Sequence, residues 1–312
     1  MIPTFPEFKI LELSDRDEVE RITKQFPPYS DYHFLQMWIW DIHEPLKLSR
    51  LYDNLILRHS DALTGESFFS FIGNSFLEMT LEKVVNFLDD NKFPVTLRLI
   101  PEEIMKNSNG ISSYFVEDRD NYDYIFDVSK LVHAKGNELK NYRWHINKFA
   151  KNYFNISTKP LDLTDRNVKN LLTNLFIEWA DQIKAENKIG NPLFGYEALI
   201  RLLESSGEFN SISALGLFDK NDLIAFSIFD TVNNEYALCS FLLGNRAYDG
   251  SFQFLLKRVA EYLQKKEIKW LNFEADYGIS TWRNYKMSYK PPFFLKKYTI
   301  ENLNKRKFWS TP

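Results

Sequence analysis

Residues 239–256 read CSFLLGNRAYDGSFQFLL, an apolar run that ends in a glycine-containing loop and leads into an amphipathic segment. In that segment the apolar residues Phe252, Leu255, Leu256 and Val259 recur at the spacing i, i+3, i+4 and i+7. This spacing predicts a helix with one buried stripe. The stretch therefore predicts a strand, a glycine loop and a helix in succession.

The same order occurs in the first half of the chain. FFSFIGN at 68–74 is followed by apolar residues at helical spacing from Leu81 to Leu88, and each half continues into an apolar strand, VTLRLI at 95–100 or KWLNFE at 269–274. A hairpin signal precedes both segments. Strands in a meander followed by a helical crossover predict a mixed sheet covered by helices. The alternative is that any two mixed α/β segments align this well.

Composition indicates a globular protein of one large or two ordinary domains. The 312 residues are 44% hydrophobic and 26% charged, and the net charge is -3. A single cysteine, Cys239, excludes an intrachain disulfide and favours a reducing compartment. We see neither a signal peptide nor an apolar stretch of the roughly 20 residues that span a bilayer. These features predict a cytoplasmic protein.

The domain organisation follows from the repeat. A first unit is predicted over 1–130, with strands near 112–117 and 122–128 closing it. A basic helix near 136–153 then opens a second unit over 131–312, whose last strand is expected at 293–300. We place the ligand site in the second unit because the first glycine loop, GNSFLEMT, has no basic residue.

The second glycine loop is the first candidate site. A glycine loop that feeds a helix N-terminus presents free N–H groups and a positive dipole end to an anion. Arg246 is expected to contact a phosphate, and the amides of Gly250 and Ser251 to bind it. The alternative interpretation is a capped loop, in which Gly250 serves the backbone geometry and Ser251 is the N-cap.

The segment EADYGISTWRNYKMSYKPP, at 274–292, is the second candidate site. Glu274 and Asp276 follow a strand, at the end of a sheet where α/β proteins tend to bind ligands. Either carboxylate is a candidate for orienting or deprotonating an amine, and Tyr289 (with Tyr277 and Tyr285) for protonating a leaving group. Arg283, Lys286 and Lys290 are candidate anion ligands. The alternative is a salt-bridged turn with aromatic packing.

The basic helix is the third candidate. Lys140, Arg143, Asn147 and Lys151 share one face. The cluster Lys140, Arg143, His145 and Lys148 could bind the phosphates of a lipid, nucleotide or tRNA, and Arg143 and Asn147 are predicted to contact the substrate. The alternative is a solvated helix face. No metal-site spacing and no P-loop or dinucleotide fingerprint occurs, so no metal is expected.

Three stretches carry a resemblance to a known family. NYRWHINKF (141–149), AYDGSFQFL (247–255) and FEADYGISTWRNYKMSYKPPFFLKKY (273–298) resemble an uncharacterised bacterial family related to the C-terminal catalytic domain of phosphatidylglycerol lysyltransferase. The resemblance implies an α/β fold of two tandem GNAT-like (N-acyltransferase) domains, each a mixed, mostly antiparallel sheet flanked by helices. In the GNAT pattern the glycine loop holds the pyrophosphate of acyl-CoA. Only the central glycine of that pattern, Gly250, is present here.

The resemblance also implies a reaction class. The lysyltransferase relatives move an aminoacyl group from a charged tRNA to a lipid head group. We therefore expect an acyl- or aminoacyl-transferase that uses acyl-CoA or aminoacyl-tRNA and acts on an amine, lipid or cell-wall acceptor. Arg246, Gly250, Ser251 and Lys286 would bind the donor, and a peripheral membrane contact stays open. The alternative is a non-catalytic ligand-binding protein with a degenerate GNAT fold.

Overall fold

A computed structural model describes residues 1–61, 63–108, 112–185 and 193–301. In chain order the strands are β1 (Lys9–Ile10), β2 (Lys47–Leu51), β3 (Asn54–Ser60), β4 (Ser67–Ile72), β5 (Leu97–Pro101), β6 (Phe115–Glu117), β7 (Asp123–Asp127), β8 (Ile156–Pro160), β9 (Ile212–Asp219), β10 (Asp222–Thr231), β11 (Tyr236–Gly244), β12 (Trp270–Asn272), β13 (Phe293–Leu295) and β14 (Lys297–Ile300). The α-helices are α1 (Arg16–Thr23), α2 (Phe34–Ile39), α3 (Leu77–Asp90), α4 (Glu102–Lys106), α5 (Val128–His133), α6 (Lys140–Asn152), α7 (Arg166–Ala185), α8 (Leu193–Ser205), α9 (Ser251–Lys265) and α10 (Ser280–Ser288).

The strands form two sheets of seven, in the orders β1-β2-β3-β4-β5-β14-β6 and β13-β7-β12-β11-β10-β9-β8. In each sheet an antiparallel meander is followed by one parallel pair, β4 with β5 or β11 with β12. Helix α3 makes the crossover in the first sheet and helix α9 in the second. The predicted fold class of two GNAT-like α/β domains in tandem is confirmed.

The chain divides into two compact units. The first comprises Met1–Tyr122 with the C-terminal segment from Leu295, and the second comprises Asp123–Phe294. Our sequence analysis set the boundary after residue 130 and kept the C-terminus in the second unit. The observed division falls between Tyr122 and Asp123, because β7 belongs to the second sheet.

Two strands pair with a sheet other than the one predicted. The strand predicted at 122–128 was expected to close the first unit, but β7 pairs with β12 of the second sheet. The strand predicted at 293–300 is divided into β13 and β14, and β14 lies between β5 and β6 of the first sheet. Both errors have one cause: local apolar composition predicts a strand, but its partner depends on which sheet edge the folded chain brings near.

The two crossover helices bury the stripes that their spacing predicts. Leu81, Val84 and Leu88 of α3 are at most 1% exposed, and Leu255 and Val259 of α9 are fully buried. Burying side chains of this size stabilises each unit by about 1.5–3 kcal/mol per residue, as an upper estimate. The α9 stripe joins the apolar core of the second unit and packs against strands β9 to β11.

In the first unit, polar side chains hydrogen-bond to backbone groups where the parallel strands β4 and β5 separate. The Tyr32 hydroxyl lies within hydrogen-bonding distance of the carbonyls of Phe71 (3.1 Å) and Leu99 (2.9 Å). The Asn54 amide donates to the Ser75 carbonyl at 2.6 Å and accepts from the Ser75 N–H at 2.9 Å. A Cβ on Gly73 would lie 2.1 Å from the Asn54 amide oxygen. The first glycine loop is therefore filled by a side chain of its own unit.

The first unit also contains a buried ion pair. Lys297 at the start of β14 is fully buried, and its ammonium contacts the carboxylate of Asp31 and the Ser30 hydroxyl, the latter at 3.3 Å. Its neighbour Lys296 is partly exposed and pairs with the exposed Glu117 at 3.4 Å. Two adjacent lysines thus each pair with a carboxylate, Lys297 in the interior and Lys296 at the surface.

We predict that Lys297→Met lowers the free energy of unfolding by about 3–5 kcal/mol, because it leaves the Asp31 carboxylate buried without its cation. Lys296→Met is the matched control and is expected to change stability by less than about 1 kcal/mol, since exposed pairs contribute little. Urea denaturation of both variants measures the difference. Equal losses in the two variants would contradict this account of β14.

Candidate functional site

The second glycine loop connects β11 to α9 and is closed by side chains from α7. The Asn245 amide oxygen accepts from the Ala247 N–H at 2.9 Å and from the Gln182 amide at 3.1 Å. The Asn245 nitrogen donates to Glu178 at 2.7 Å, and the Arg246 N–H donates to Gln182 at 3.0 Å. The backbone N–H groups of Arg246 and Ala247 are therefore bonded to side chains of the protein.

Helix α6 packs directly against Gly250. Gly250 has φ +89°, and a Cβ there would lie 2.6 Å from the carbonyl oxygen of His145 and 3.0 Å from the Cβ of Phe149. The N–H of the next residue, Ser251, donates to the Tyr248 carbonyl at 3.0 Å. Glycine is required here by the left-handed backbone and the close approach of a helix. Both the backbone conformation and the contact with α6 arise within the second unit.

Asp249 adds a negative charge beside this loop. Its carboxylate accepts from the Lys148 ammonium at 2.5 Å and lies 3.7 Å from the His145 imidazole. The hydrogen bond from Lys148 lowers the pKa of Asp249, with a smaller contribution from the His145 charge. The structure thus brings Arg246, Gly250 and Ser251 together on one loop, but a carboxylate and a packed helix disfavour a pyrophosphate at that loop.

We predict that Gly250→Ala destabilises the protein by about 2 kcal/mol or more, because the new methyl group must displace α6 and the backbone is in a region that alanine avoids. Gly207, in the short 3-10 turn Ser206–Glu208, is the matched control, since a Cβ there meets nothing within 4 Å. Thermal unfolding of the two variants tests this. A Gly250→Ala protein as stable as Gly207→Ala would contradict the packing account.

Asp276 is held as a structural carboxylate. It is fully buried and accepts from the Tyr124 hydroxyl at 2.6 Å, the Gly278 N–H at 2.9 Å, and Arg283 at 3.0 and 2.8 Å. Burial alone would raise the pKa of Asp276, but the hydrogen bonds from Arg283, Tyr124 and Gly278 outweigh it and lower that pKa. A carboxylate in this state accepts hydrogen bonds and is a poor base.

Lys286 hydrogen-bonds to the backbone just before Asp276. Its ammonium donates to three consecutive carbonyls, those of Phe273 (2.6 Å), Glu274 (3.2 Å) and Ala275 (2.6 Å). Burial lowers the pKa of Lys286 to about 8, against the opposing charges of Glu274 and two aspartates. We predicted that Lys286 binds the donor, whereas the structure places its nitrogen against the protein backbone.

The backbone of the turn that Lys286 and Asp276 hold is strained. Glu274 has φ +55° and Tyr277 has φ +53°, values that side chains of this size rarely adopt. Such strain persists where the surroundings over-determine it, and it concentrates at functional sites. Lys286 and Asp276 supply that constraint on the turn that carries Glu274, whose side chain is partly buried.

A pair of tyrosines lies next to this turn. The Tyr289 hydroxyl donates to the Tyr285 hydroxyl at 2.5 Å, and Tyr289 is buried whereas Tyr285 is partly exposed. Burial, together with each other's proximity, raises the pKa of Tyr285 well above its ordinary value. Both phenols are therefore neutral proton donors near pH 7. Tyr289 was predicted to donate a proton; it is buried, and its partner Tyr285 is partly exposed.

Cys239 is a buried residue of β11. Burial raises the pKa of the Cys239 thiol to about 12, and the Glu274 charge raises it as well. The thiol in turn contributes to the raised pKa of Tyr285. The Cys239 thiol is therefore protonated near pH 7, one residue beyond the last pair of the parallel strands, Leu238 with Asn272.

The two substrate-contacting residues predicted on α6 differ in their surroundings. Arg143 donates to the carbonyls of Ala134 (2.5 Å) and Gly136 (3.0 Å), so it fixes the turn that enters α6. Asn147 is exposed. Sequence reasoning missed Tyr124 and Asp249. No local pattern marks Tyr124, because its partner Asp276 is 152 positions away.

Lys286 generates a pH-dependent prediction. The folded protein releases this proton near pH 8, whereas the unfolded chain holds it to about pH 10.5. Between these values the unfolded state binds more protons, so the contribution of Lys286 to the free energy of unfolding rises with pH. An NMR titration of ¹³Cε-labelled lysines, with Lys286→Arg for assignment, is expected to show one midpoint near 8. Titration of every lysine near its ordinary pKa would refute this.

Within residues 1–61, 63–108, 112–185 and 193–301, no helix is both long and apolar enough to cross a membrane. The described side chains likewise bring no three His, Cys, Asp or Glu residues into a group able to hold a metal ion.

The fold and site define a tandem GNAT-like protein. The model of the family "Phosphatidylglycerol lysyltransferase, C-terminal" matches residues 23–301, so the chain belongs to that family. This confirms the resemblance stated from the sequence.

Solved structures share the fold along the whole chain. A conserved protein of unknown function from Bacteroides thetaiotaomicron superposes with a TM-score of 0.81 at 24% identity, covering 96% of this chain and 99% of that one. L-PGS from Bacillus licheniformis gives 0.64 at 15% identity, covering 98% and 95%. The C-terminal domain of a putative lysylphosphatidylglycerol synthetase from Agrobacterium fabrum gives 0.60 at 12%, covering 93% and 92%.

A curated relative, an uncharacterised protein of Mycoplasmoides gallisepticum, is 23% identical over 184 residues. That match covers 57% of this chain and 55% of the relative's length.

Proposed function

We propose that this protein transfers an aminoacyl group from an ester-linked donor, an aminoacyl-tRNA, to an amine or to a hydroxyl of a lipid or cell-wall acceptor. The observation that carries the proposal is the strained turn at Glu274, whose carbonyls Lys286 of helix α10 holds, next to the hydrogen-bonded pair Tyr285 and Tyr289 of the same segment. Membership of a family named for lysyl transfer to phosphatidylglycerol supports the reaction class.

The two groups suit the two proton transfers of the reaction. The acceptor nitrogen or oxygen attacks the ester carbonyl, a new bond to that carbon forms, and the ester C–O bond breaks. Glu274 takes the proton that the nucleophile loses, and Tyr285 gives a proton to the departing oxygen. Tyr289 then shares its proton with Tyr285 through their hydrogen bond, and positioned acid–base groups of this kind contribute about 10²–10⁴-fold each.

Three further residues act on geometry. Lys286 holds the carbonyls around Glu274, and Asp276 with Arg283 holds the turn that follows. None of them is assigned a proton transfer, because their polar atoms are bonded to the protein. This separates Glu274 from Asp276, which the sequence left as equal candidates.

The glycine loop supports an ester donor over acyl-CoA. Asp249 and the packed helix α6 disfavour a pyrophosphate at Gly250 and Ser251. Arg246 stays a candidate for a more distant phosphate of the tRNA, together with the exposed Asn147 of α6.

The test is a transfer assay with tRNA charged with labelled amino acids and mixed lipid vesicles as acceptor. Glu274→Gln and Tyr285→Phe are each expected to lower turnover by about 10²-fold or more. Glu261→Gln and Tyr262→Phe, on the neighbouring helix α9, are matched controls expected to keep turnover. Transfer from acetyl-CoA and not from charged tRNA would overturn the donor assignment.

The same assay tests the ligand-binding alternative, which the internal bonding of Asp276, Arg283 and Lys286 favours. A protein that only binds would retain charged tRNA in a saturable way without releasing the amino acid.

A further inference from the structure

The first turn of helix α9 is held between two aromatic contacts. Phe252 meets the ring of Tyr285 in α10 edge-on, with the ring centroids 5.1 Å apart. Phe254 lies against the ring of Phe149 in α6 at 4.9 Å. Gln253 lies between these two residues in the chain, so the backbone from which its amide extends is fixed on both sides.

The Gln253 amide reaches the buried phenol of Tyr289. Burial raises the pKa of Tyr289, whereas its hydrogen bonds with Tyr285 and Gln253 lower that pKa. A hydrogen bond lowers the pKa of a phenol when it favours the phenolate, and only a donor does so. The amide nitrogen of Gln253 therefore donates to the Tyr289 oxygen.

In the neutral pair the proton of Tyr289 is committed to Tyr285. The Tyr289 hydroxyl donates to the Tyr285 hydroxyl at 2.5 Å. A phenol has a single O–H donor, so Tyr289 has no proton left for any other group. Tyr285 is the partly exposed member of the pair, and its own O–H is not used within the pair. The hydrogen bonds therefore run in one direction, from Gln253 through Tyr289 to Tyr285.

A third tyrosine packs against the pair without joining it. Tyr142 of α6 lies edge-on to Tyr289, with ring centroids 5.3 Å apart. Its buried hydroxyl has no hydrogen-bond partner in the part of the chain that the structure describes. Two phenols by themselves can be ordered either way, because each hydroxyl both donates and accepts, whereas an amide nitrogen only donates. Gln253 is thus the group that sets the direction.

We propose that Gln253 is a positioning residue for the acid step: it orders the two phenols so that the free O–H of Tyr285 points to the departing oxygen. The inference rests on the proposed function for the identity of that oxygen, whereas the order of the three groups is a property of the second unit.

The proton transfers of this acid step balance. The Tyr285 O–H bond breaks as its proton passes to the departing oxygen, and the Tyr289 proton passes to Tyr285. The negative charge then rests on the Tyr289 oxygen, which accepts hydrogen bonds from Tyr285 and Gln253, the two contacts that lower the Tyr289 pKa. A solvent proton restores Tyr289, and the proton that Glu274 takes from the nucleophile returns to solvent.

Gln253→Glu reverses the order with little change of shape, because an ionised carboxylate only accepts. Tyr289 then donates to the new carboxylate, Tyr285 donates to Tyr289, and no proton faces the departing oxygen. In the transfer assay with charged tRNA we expect kcat to fall by about 10²-fold near pH 7, with KM unchanged. Gln264→Glu, at an exposed position of the same helix, is the matched control for the added charge and is expected to keep the wild-type kcat.

The pH profile separates the order of the phenols from simple packing. A carboxyl group that takes up a proton becomes a donor again, and its ordinary pKa is about 4.3. The ratio of wild-type kcat to Gln253→Glu kcat is therefore expected to shrink by at least about tenfold as the pH falls from about 7 to about 4. Gln253→Met has no donor at any pH, so its deficit is expected to stay constant. Equal pH dependence of the two variants overturns the assignment.

A measurement without any aminoacyl donor tests the order directly. In NMR spectra of the ¹³Cζ-tyrosine protein, Tyr285→Phe and Tyr289→Phe assign the two phenol signals. Both signals are expected to shift in Gln253→Glu and to return as the new carboxyl takes up its proton. Signals that do not respond to that titration overturn the proposed order.

Failure of this inference is distinguishable from failure of the proposed function. If the wild type discharges no donor but the phenol signals follow the new carboxyl, the order of the three groups is supported and the transfer reaction is wrong. If the wild type transfers the aminoacyl group and neither kcat nor the phenol signals respond to Gln253→Glu, the role of Gln253 is wrong. Tyr142→Phe removes a hydroxyl that lies outside the ordered pair, and it is expected to leave kcat unchanged.

Discussion

In both units two parallel strands, joined by a helix, separate at one end. The backbone carbonyls beyond that point have no strand partner and need other hydrogen-bond donors. In the second unit Lys286 meets this need, with one ammonium serving three consecutive carbonyls. A lysine supplies three N–H donors, so a single side chain suffices. In the first unit the Tyr32 hydroxyl occupies the corresponding place. The strained turn at Glu274 can exist because these bonds hold its flanks.

Contacts within the protein also explain why the second glycine loop contains a glycine. Gly250 remains because α6 rests on it, and Asn245 ties the loop to α7. The fold thus retains the loop geometry of an anion site while its own side chains take the contacts. The proposed chemistry lies at the strand end, where Glu274 and Tyr285 are partly buried and the neighbouring Asp276, Arg283 and Lys286 are hydrogen-bonded to the protein.

Features that depend on neighbouring residues could be predicted well. The stripes of α3 and α9 follow from spacing alone, and the candidates Glu274 to Tyr289 lie in one segment that any fold keeps together. The individual roles could not be predicted. Glu274 and Asp276 look equivalent in the sequence, whereas in the structure Tyr124 of β7 and Arg283 of α10 both donate to Asp276. Lys286 looks like an anion ligand until the carbonyls of the folded turn surround it.

The sequence by itself determined the repeated unit, the fold class and the family, because periodicity, composition and motif are local properties. The tertiary structure decided which sheet β7 and β14 joined, which carboxylate was buried against an arginine, and which cations stayed at the surface. The reason is physical: strand pairing and the burial of a charge depend on partners far away in the chain, and those partners exist only once the chain has folded.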